Sequence, residues 1–265
     1  MTGQHNTGAT YALSLSGSTS ITAGTGVTLE SLNNNTGTIA LLSSGGINGG
    51  SGTVLMRAAN YAFGGADRTI TTTGVLTIQP DADENSFASS FDNQYLNPVN
   101  VTGLTLGKSS NASAITLSRA ISLYGPVSIY GGSIDVNANI TANSGNILLD
   151  ADTGSTLNQS STGILLDDAI TIETVTSGNL TLIGRSGDTG SGFDGIDASS
   201  ANTTTLRSAG NLTLQGYSYA ASGSGRGVDL NKDVIAASGT VSMTGQHNTG
   251  ATYELSLSGS TSITA

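Results

Sequence analysis

The sequence predicts an all-β chain wound as a right-handed parallel β-helix, a β-solenoid of about eleven coils per 242-residue unit with outward loop insertions. Three observations lead there. The two ends of the chain carry nearly the same text. A short glycine-led apolar motif recurs between them. The composition is rich in small polar residues, yet Val, Ile, Leu and Thr recur throughout.

Residues 1–23 read MTGQHNTGATYALSLSGSTSITA, and residues 243–265 read MTGQHNTGATYELSLSGSTSITA. The copies agree at 22 of 23 positions and differ at Ala12 against Glu254. Independent segments do not converge so closely, so this is a tandem duplication with an offset of 242 residues. The expected organisation is one complete unit of a continuous solenoid over 1–242, with the start of the next repeat at 243–265. Met1 matches Met243, so the chain reads as a window from a longer repetitive polymer.

Inside the unit, a glycine followed by alternating apolar residues recurs eleven times. The copies are GVTLES from Gly26, GTIALLS from Gly37, GTVLMRA from Gly52, GVLTIQ from Gly74, GLTLGK from Gly103 and GPVSIYG from Gly125. They continue with GNILLDA from Gly145, GILLDD from Gly163, GNLTLIG from Gly178, GNLTLQG from Gly210 and GTVSMTG from Gly239. A mean spacing of about 22 residues lies in the range of solenoid repeats. Side chains alternate along a strand, so Leu180 and Leu182 should face inward and Thr181 outward. Gly178 suits a corner because it takes positive φ without steric cost. Parallel coils ~4.8 Å apart would make the unit about 50 Å long. Handedness follows the rule for parallel crossovers.

Asn146, Asn179 and Asn211 each follow a corner glycine, where Thr38, Thr53 and Thr240 stand in other copies. A coil-to-coil asparagine ladder and simple Gly-Asn turn chemistry both account for this. The bursts at 114–125, 133–141 and 169–175 supply further faces of the coil. Residues 79–100, 184–204 and 216–228 break the rhythm and are expected to be outer loops. Residues 82–92 are the one candidate helix.

Composition narrows the function classes. Gly is 37 of 265 residues, about twice the usual share of ~7 %. Charged residues are only 10 % and the net charge is −10, which disfavours nucleic acid and anionic membrane surfaces as partners. No run of about 18 apolar residues exists for membrane insertion. Without cysteine there is neither a disulfide framework nor thiol chemistry.

The phrases SGNLTLIG and AGNLTLQG, with ITAGTGVTLES, resemble the filamentous-haemagglutinin type of bacterial exoprotein. The long outer period is similar to that of very large repetitive surface adhesins. The resemblance implies a right-handed parallel β-helix, exported to the cell surface. The amino-terminal secretion module of that family is not among these residues, so its export route does not carry over.

Candidate chemistry is sparse. Asp229-Leu-Asn231-Lys-Asp233 has the oxygen spacing that opens a calcium loop, but Val234 stands where glycine is expected. Asp188, Asp194 and Asp197 crowd one loop; Asp81, Asp83 and Glu84 crowd another. These are calcium candidates or solvated acidic turns, and Asp188, Asp194, Asp197, Asp229, Asn231 and Asp233 are the residues carried forward. No other cofactor is expected. Gly64-Gly65-Ala66-Asp67 faintly echoes a calcium-binding solenoid repeat. Asp152-Thr153-Gly154-Ser155 and Asp188-Thr189-Gly190-Ser191 echo aspartic proteases, but lie too close together for two lobes. His5 and His247 are one repeat position seen twice, read as a polar turn histidine. The tyrosines, Tyr217 with Tyr219 and Tyr61 with Phe63 among them, could stack on sugars or on each other.

The expected function is non-catalytic: an extracellular, cell-surface repeat module of a bacterial fibre, filament or adhesin stalk. Its expected partners are copies of itself, lateral fibre neighbours or surface glycans. The alternative is a polysaccharide-binding or polysaccharide-cleaving β-helix protein. That reading needs three or more carboxylates and a basic residue converging in one cleft.

Overall fold

The structure, a computed structural model, describes residues 2–3, 13–17, 19–31, 36–42, 45–81, 85–151, 161–167, 169–188, 191–199, 203–220, 223–231, 234–247 and 254–265. Every helix or strand among them is a strand, and the strands pair in parallel as a β-helix. The chain visits three faces in fixed order, coil after coil. The first face is one ten-stranded sheet running from Thr2–Gly3 through Val27–Ser31, Val54–Arg57, Val75–Gln79, Gly103–Leu106, Val127–Gly131, Ile147–Ala151, Leu180–Arg185 and Leu212–Ser218 to Val241–His247. The second face is a three-stranded sheet, Leu13–Leu15 to Asn60–Phe63, followed by a seven-stranded one, Phe91–Asp92 to Leu255–Ser258. The third is a four-stranded sheet, Ile21–Thr22 to Leu96–Val99, followed by a six-stranded one, Ile121–Leu123 to Ser262–Thr264.

The core follows from alternation. In Leu180–Arg185 and Leu212–Ser218 every second residue is buried. Register then stacks like on like: Leu149 pairs Leu182, and Leu182 pairs Leu214, all with no exposed surface. Each coil thus buries its apolar row against the coils above and below, which one coil alone cannot do. Gly178 has φ +113, and a Cβ there would run into the Gly145 carbonyl. The corner therefore demands glycine for both conformation and space.

From Thr2–Gly3 to Val241–His247 the first sheet takes nine steps, not eleven, over the 242-residue repeat. Two motif copies sit on the second face: GTIALLS forms Thr38–Leu41, and GILLDD forms Ile164–Leu166. Glycine before an apolar strand is needed at more than one corner, so counting glycines overcounts coils. At ~4.8 Å per step the repeat advances about 43 Å.

The asparagine ladder exists in a specific form. Asn146 Oδ1 accepts the Asn179 N–H and Asn179 Oδ1 accepts the Asn211 N–H, both at 2.8 Å. Asn211 Oδ1 accepts the Thr240 N–H at 2.9 Å. The amides bond to the next coil's backbone and so satisfy corner N–H groups that the sheet ladder does not reach.

The rhythm-breaking stretches are more than loops. Phe91–Asp92, Leu96–Val99 and Ile196–Ala198 lie in them and carry the second and third faces. The candidate helix at 82–92 is not one where it is described: residues 85–90 are bends and irregular backbone leading into the strand Phe91–Asp92. Phe87 and Phe91 are spent on packing instead. Their rings stack at 5.5 Å, and Tyr61 meets each edge-on at 5.7 Å. This aromatic cluster sits where the three-stranded sheet stops and the seven-stranded sheet begins.

Candidate functional site

The coil step is about 30 residues in this part of the chain, so residues far apart in sequence stack directly. Asp197, in Ile196–Ala198, pairs in register with Asp229, in Val228–Asn231. Their inward neighbours Ile196 and Val228 are buried, so alternation turns both carboxylates to the outer side of the second face. Asp194 lies just before the first of these strands. Carboxylate oxygens of Asp194, Asp197 and Asp229 all fall within 4.8 Å of one another.

The cluster is held from within. Asp194 Oδ1 accepts the Arg226 backbone N–H, and the Arg226 guanidinium bonds Asp229 Oδ2. Asp197 Oδ1 accepts the Ser199 N–H at 2.8 Å, a local turn bond. Asp194 and Asp229 are 7 % and 3 % exposed, while Asp197 is half-buried. Burial pushes the Asp194 carboxyl up to about 7, and the neighbouring Asp197 and Asp229 charges add to it. The Arg226 N–H and guanidinium act the other way. A group poised there can hold or release a proton near neutral pH.

Of the six carried-forward residues, the fold brings together Asp194, Asp197 and Asp229, which the sequence places in two separate loops. Among the described residues Asp188 does not join them, and its enclosed Oδ1 has no hydrogen-bond partner there. Asn231 places its amide nitrogen 3.5 Å from the Ser199 carbonyl. Asp233 lies outside the described residues. Three hard oxygen donors suit calcium in kind, but calcium takes about six to eight oxygens, and one oxygen of Asp229 is engaged by Arg226. Arg226 is the participant that sequence reading missed. Its signal is a lone cation inside GSGRGV, three residues before Asp229.

The other candidates disperse. Asp67 bonds Arg119, which holds its carboxyl below the usual range. Asp81 is buried, while Asp83 and Glu84 lie outside the described residues, as do Asp152, Thr153, Gly154, Ser155, Thr189, Gly190 and His5. His247 ends a strand rather than occupying a turn, 3.9 Å from Glu254. Glu254 is the position where the two copies differ. Tyr217 packs under Arg185, 5.6 Å from its guanidinium, and Tyr61 packs against phenylalanines. Tyr124 stands 66 % exposed on its own corner.

Comparison with family models, with curated proteins and with solved structures found no match.

Proposed function

We propose that this chain is a structural repeat module of an extracellular bacterial fibre, filament or adhesin stalk, displayed at the cell surface and acting as a stiff rod. The observation that carries the reading is the return of the repeat to its own starting place. Thr2–Gly3 edges the first face, and Thr244-Gly245, the same repeat residues, lie in its last strand. Leu13–Leu15 and Leu255–Ser258 open and close the second face, and Ile21–Thr22 and Ser262–Thr264 the third. A unit that closes on a whole number of coils adds length without breaking the stack. A right-handed wind belongs to this proposal. The test is electron microscopy of native material with antibody against the chain. Thin continuous rods at the cell surface support the reading; a compact, unpolymerised intracellular particle contradicts it.

One observation favours a second reading, a polysaccharide-binding or polysaccharide-cleaving protein. Asp194, Asp197 and Asp229 converge beside Arg226, the combination that such chemistry uses. The burial of Asp194 and Asp229 weighs against it, because reacting groups must touch substrate. Incubation with acidic and neutral polysaccharides decides the matter. Product release abolished by Asp197→Asn establishes the second reading, and no turnover leaves the fibre reading in place.

A further inference from the structure

The faces differ in what they turn outward. On the first face Thr77, Thr105, Ser128, Leu148, Thr181 and Thr213 follow one another in register and form one outward row, each half-buried. This face is a single unbroken sheet, whereas each of the other two divides into two sheets. Along one of its edges the chain arrives from the third face through corners of two or three residues, at 124–126, 145–146, 178–179 and 209–211. Corners that short carry no insertion. The strands of the first face hold four Asp, Glu, Lys or Arg residues, and these neutralise one another: Arg57 bonds Glu30 and Arg185 bonds Asp150, both at 2.8 Å. The face is therefore neutral, and the chain's net charge of −10 lies elsewhere. Part of it stands on the second face, where Asp92, Asp135, Asp197 and Asp229 share one in-register row.

We propose that the first face is the surface on which two copies of this chain lie side by side, sheet against sheet. Three arguments select a second copy as the occupant. The first is charge. Interface cores are depleted of charged residues, and this neutral face is where two acidic rods can touch without setting carboxylate against carboxylate. Pairing through the second face would oppose its aspartate rows, which repel. The second is period. Both faces repeat every ~4.8 Å, so a row of small hydroxyls that meshes with its partner at one coil meshes at every coil, as in the closed seams between in-register parallel sheets. A partner with another period loses register within a few coils. The third is area. From Val27–Ser31 to Leu212–Ser218 the face spans eight strands, about 38 Å by 17 Å for five-residue strands. Two such faces would cover about 1,300 Å² in total, within the ~1,200–2,000 Å² of specific interfaces.

This inference rests on the rod reading and deepens it. The fibre reading is judged on native material and the pairing on the purified full chain, so either can fail without the other. The experiment follows the full chain by sedimentation and small-angle X-ray scattering over rising concentration. Pairing predicts reversible association in which the mass per unit length of the rod doubles. Thr105→Glu and Thr181→Glu, on the first face, should each weaken association about tenfold with the sheet circular dichroism kept. Thr105→Lys should weaken it too, although it lowers the net negative charge, because the seam must close on small side chains. Ser122→Glu, which adds the same charge on the third face, should leave association unchanged. A chain that stays single up to about 1 mM, rods that lengthen at single thickness, or equal weakening by Ser122→Glu overturns the proposal. So does a chain that stays single but is retained on cellulose powder and released by Thr105→Glu, which assigns the face to a polysaccharide instead.

Discussion

The side-chain oxygen of Asn179 accepts the backbone N–H of Asn211, one coil further on, at 2.8 Å. The bond ties two corners directly, so its loss leaves a corner N–H without its partner. Asn179→Ala should cost about 1 kcal/mol, and Asn179→Asp, which keeps the acceptor, should cost less. Hydrogen exchange at the Asn211 amide checks this: protection should fall in the alanine variant more than in the aspartate variant.

Gly178 tests the corner itself. Its φ of +113 and the nearness of the Gly145 carbonyl leave no room for a methyl group. Gly178→Ala should destabilise the chain by about 2–4 kcal/mol, strain and clash together. Gly65, where an added Cβ meets nothing within 4 Å, is the control. Gly65→Ala should shift the urea midpoint little.

Asp194 gives the pH dependence. Its carboxyl titrates at about 7 in the folded chain, against about 3.9 when unfolded. Between these values the unfolded chain has lost a proton that the folded chain keeps, so stability falls as pH rises. The loss is complete above pH ~7 and amounts to at most about 4 kcal/mol. Burial raises Asp135 and Asp150 in the same direction. Urea unfolding at pH 5 and pH 8 should show greater stability at pH 5, and Asp194→Asn should shrink the difference. A chain equally stable at both values refutes this account of the cluster.

The aromatic cluster joins the two halves of the second face. Phe91 is 4 % exposed and touches Tyr61, Phe63 and Phe87. Phe91→Ala should cost about 3–5 kcal/mol. Tyr61→Phe removes the hydroxyl, which donates to the Gln79 carbonyl, and should cost about 1 kcal/mol. Thermal unfolding of the two variants measures both.

How much of this was legible in the sequence depended on strand length. The five-residue strands Val27–Ser31 and Ile147–Ala151 announce themselves by alternation, and their leading glycines by position. Phe91–Asp92 is two residues long and inherits its place from neighbouring coils, so no local pattern marks it. The coil count went astray for a related reason: the glycines before Thr38 and Ile164 serve another face. At the site, Asp194, Asp197 and Asp229 were each visible as acidic loop residues. Their convergence was not, because it depends on the register that pairs Asp197 with Asp229. That register is set by buried Ile196 against Val228, a match no local reading of either loop supplies.

The central claim is that the 242-residue repeat closes on nine three-sided coils. Cryo-electron microscopy of chains carrying one, two and three tandem units measures this directly. Rod length should grow by about 43 Å per added unit at unchanged width. An increment near 50 Å, or bodies that thicken instead of lengthening, would contradict it.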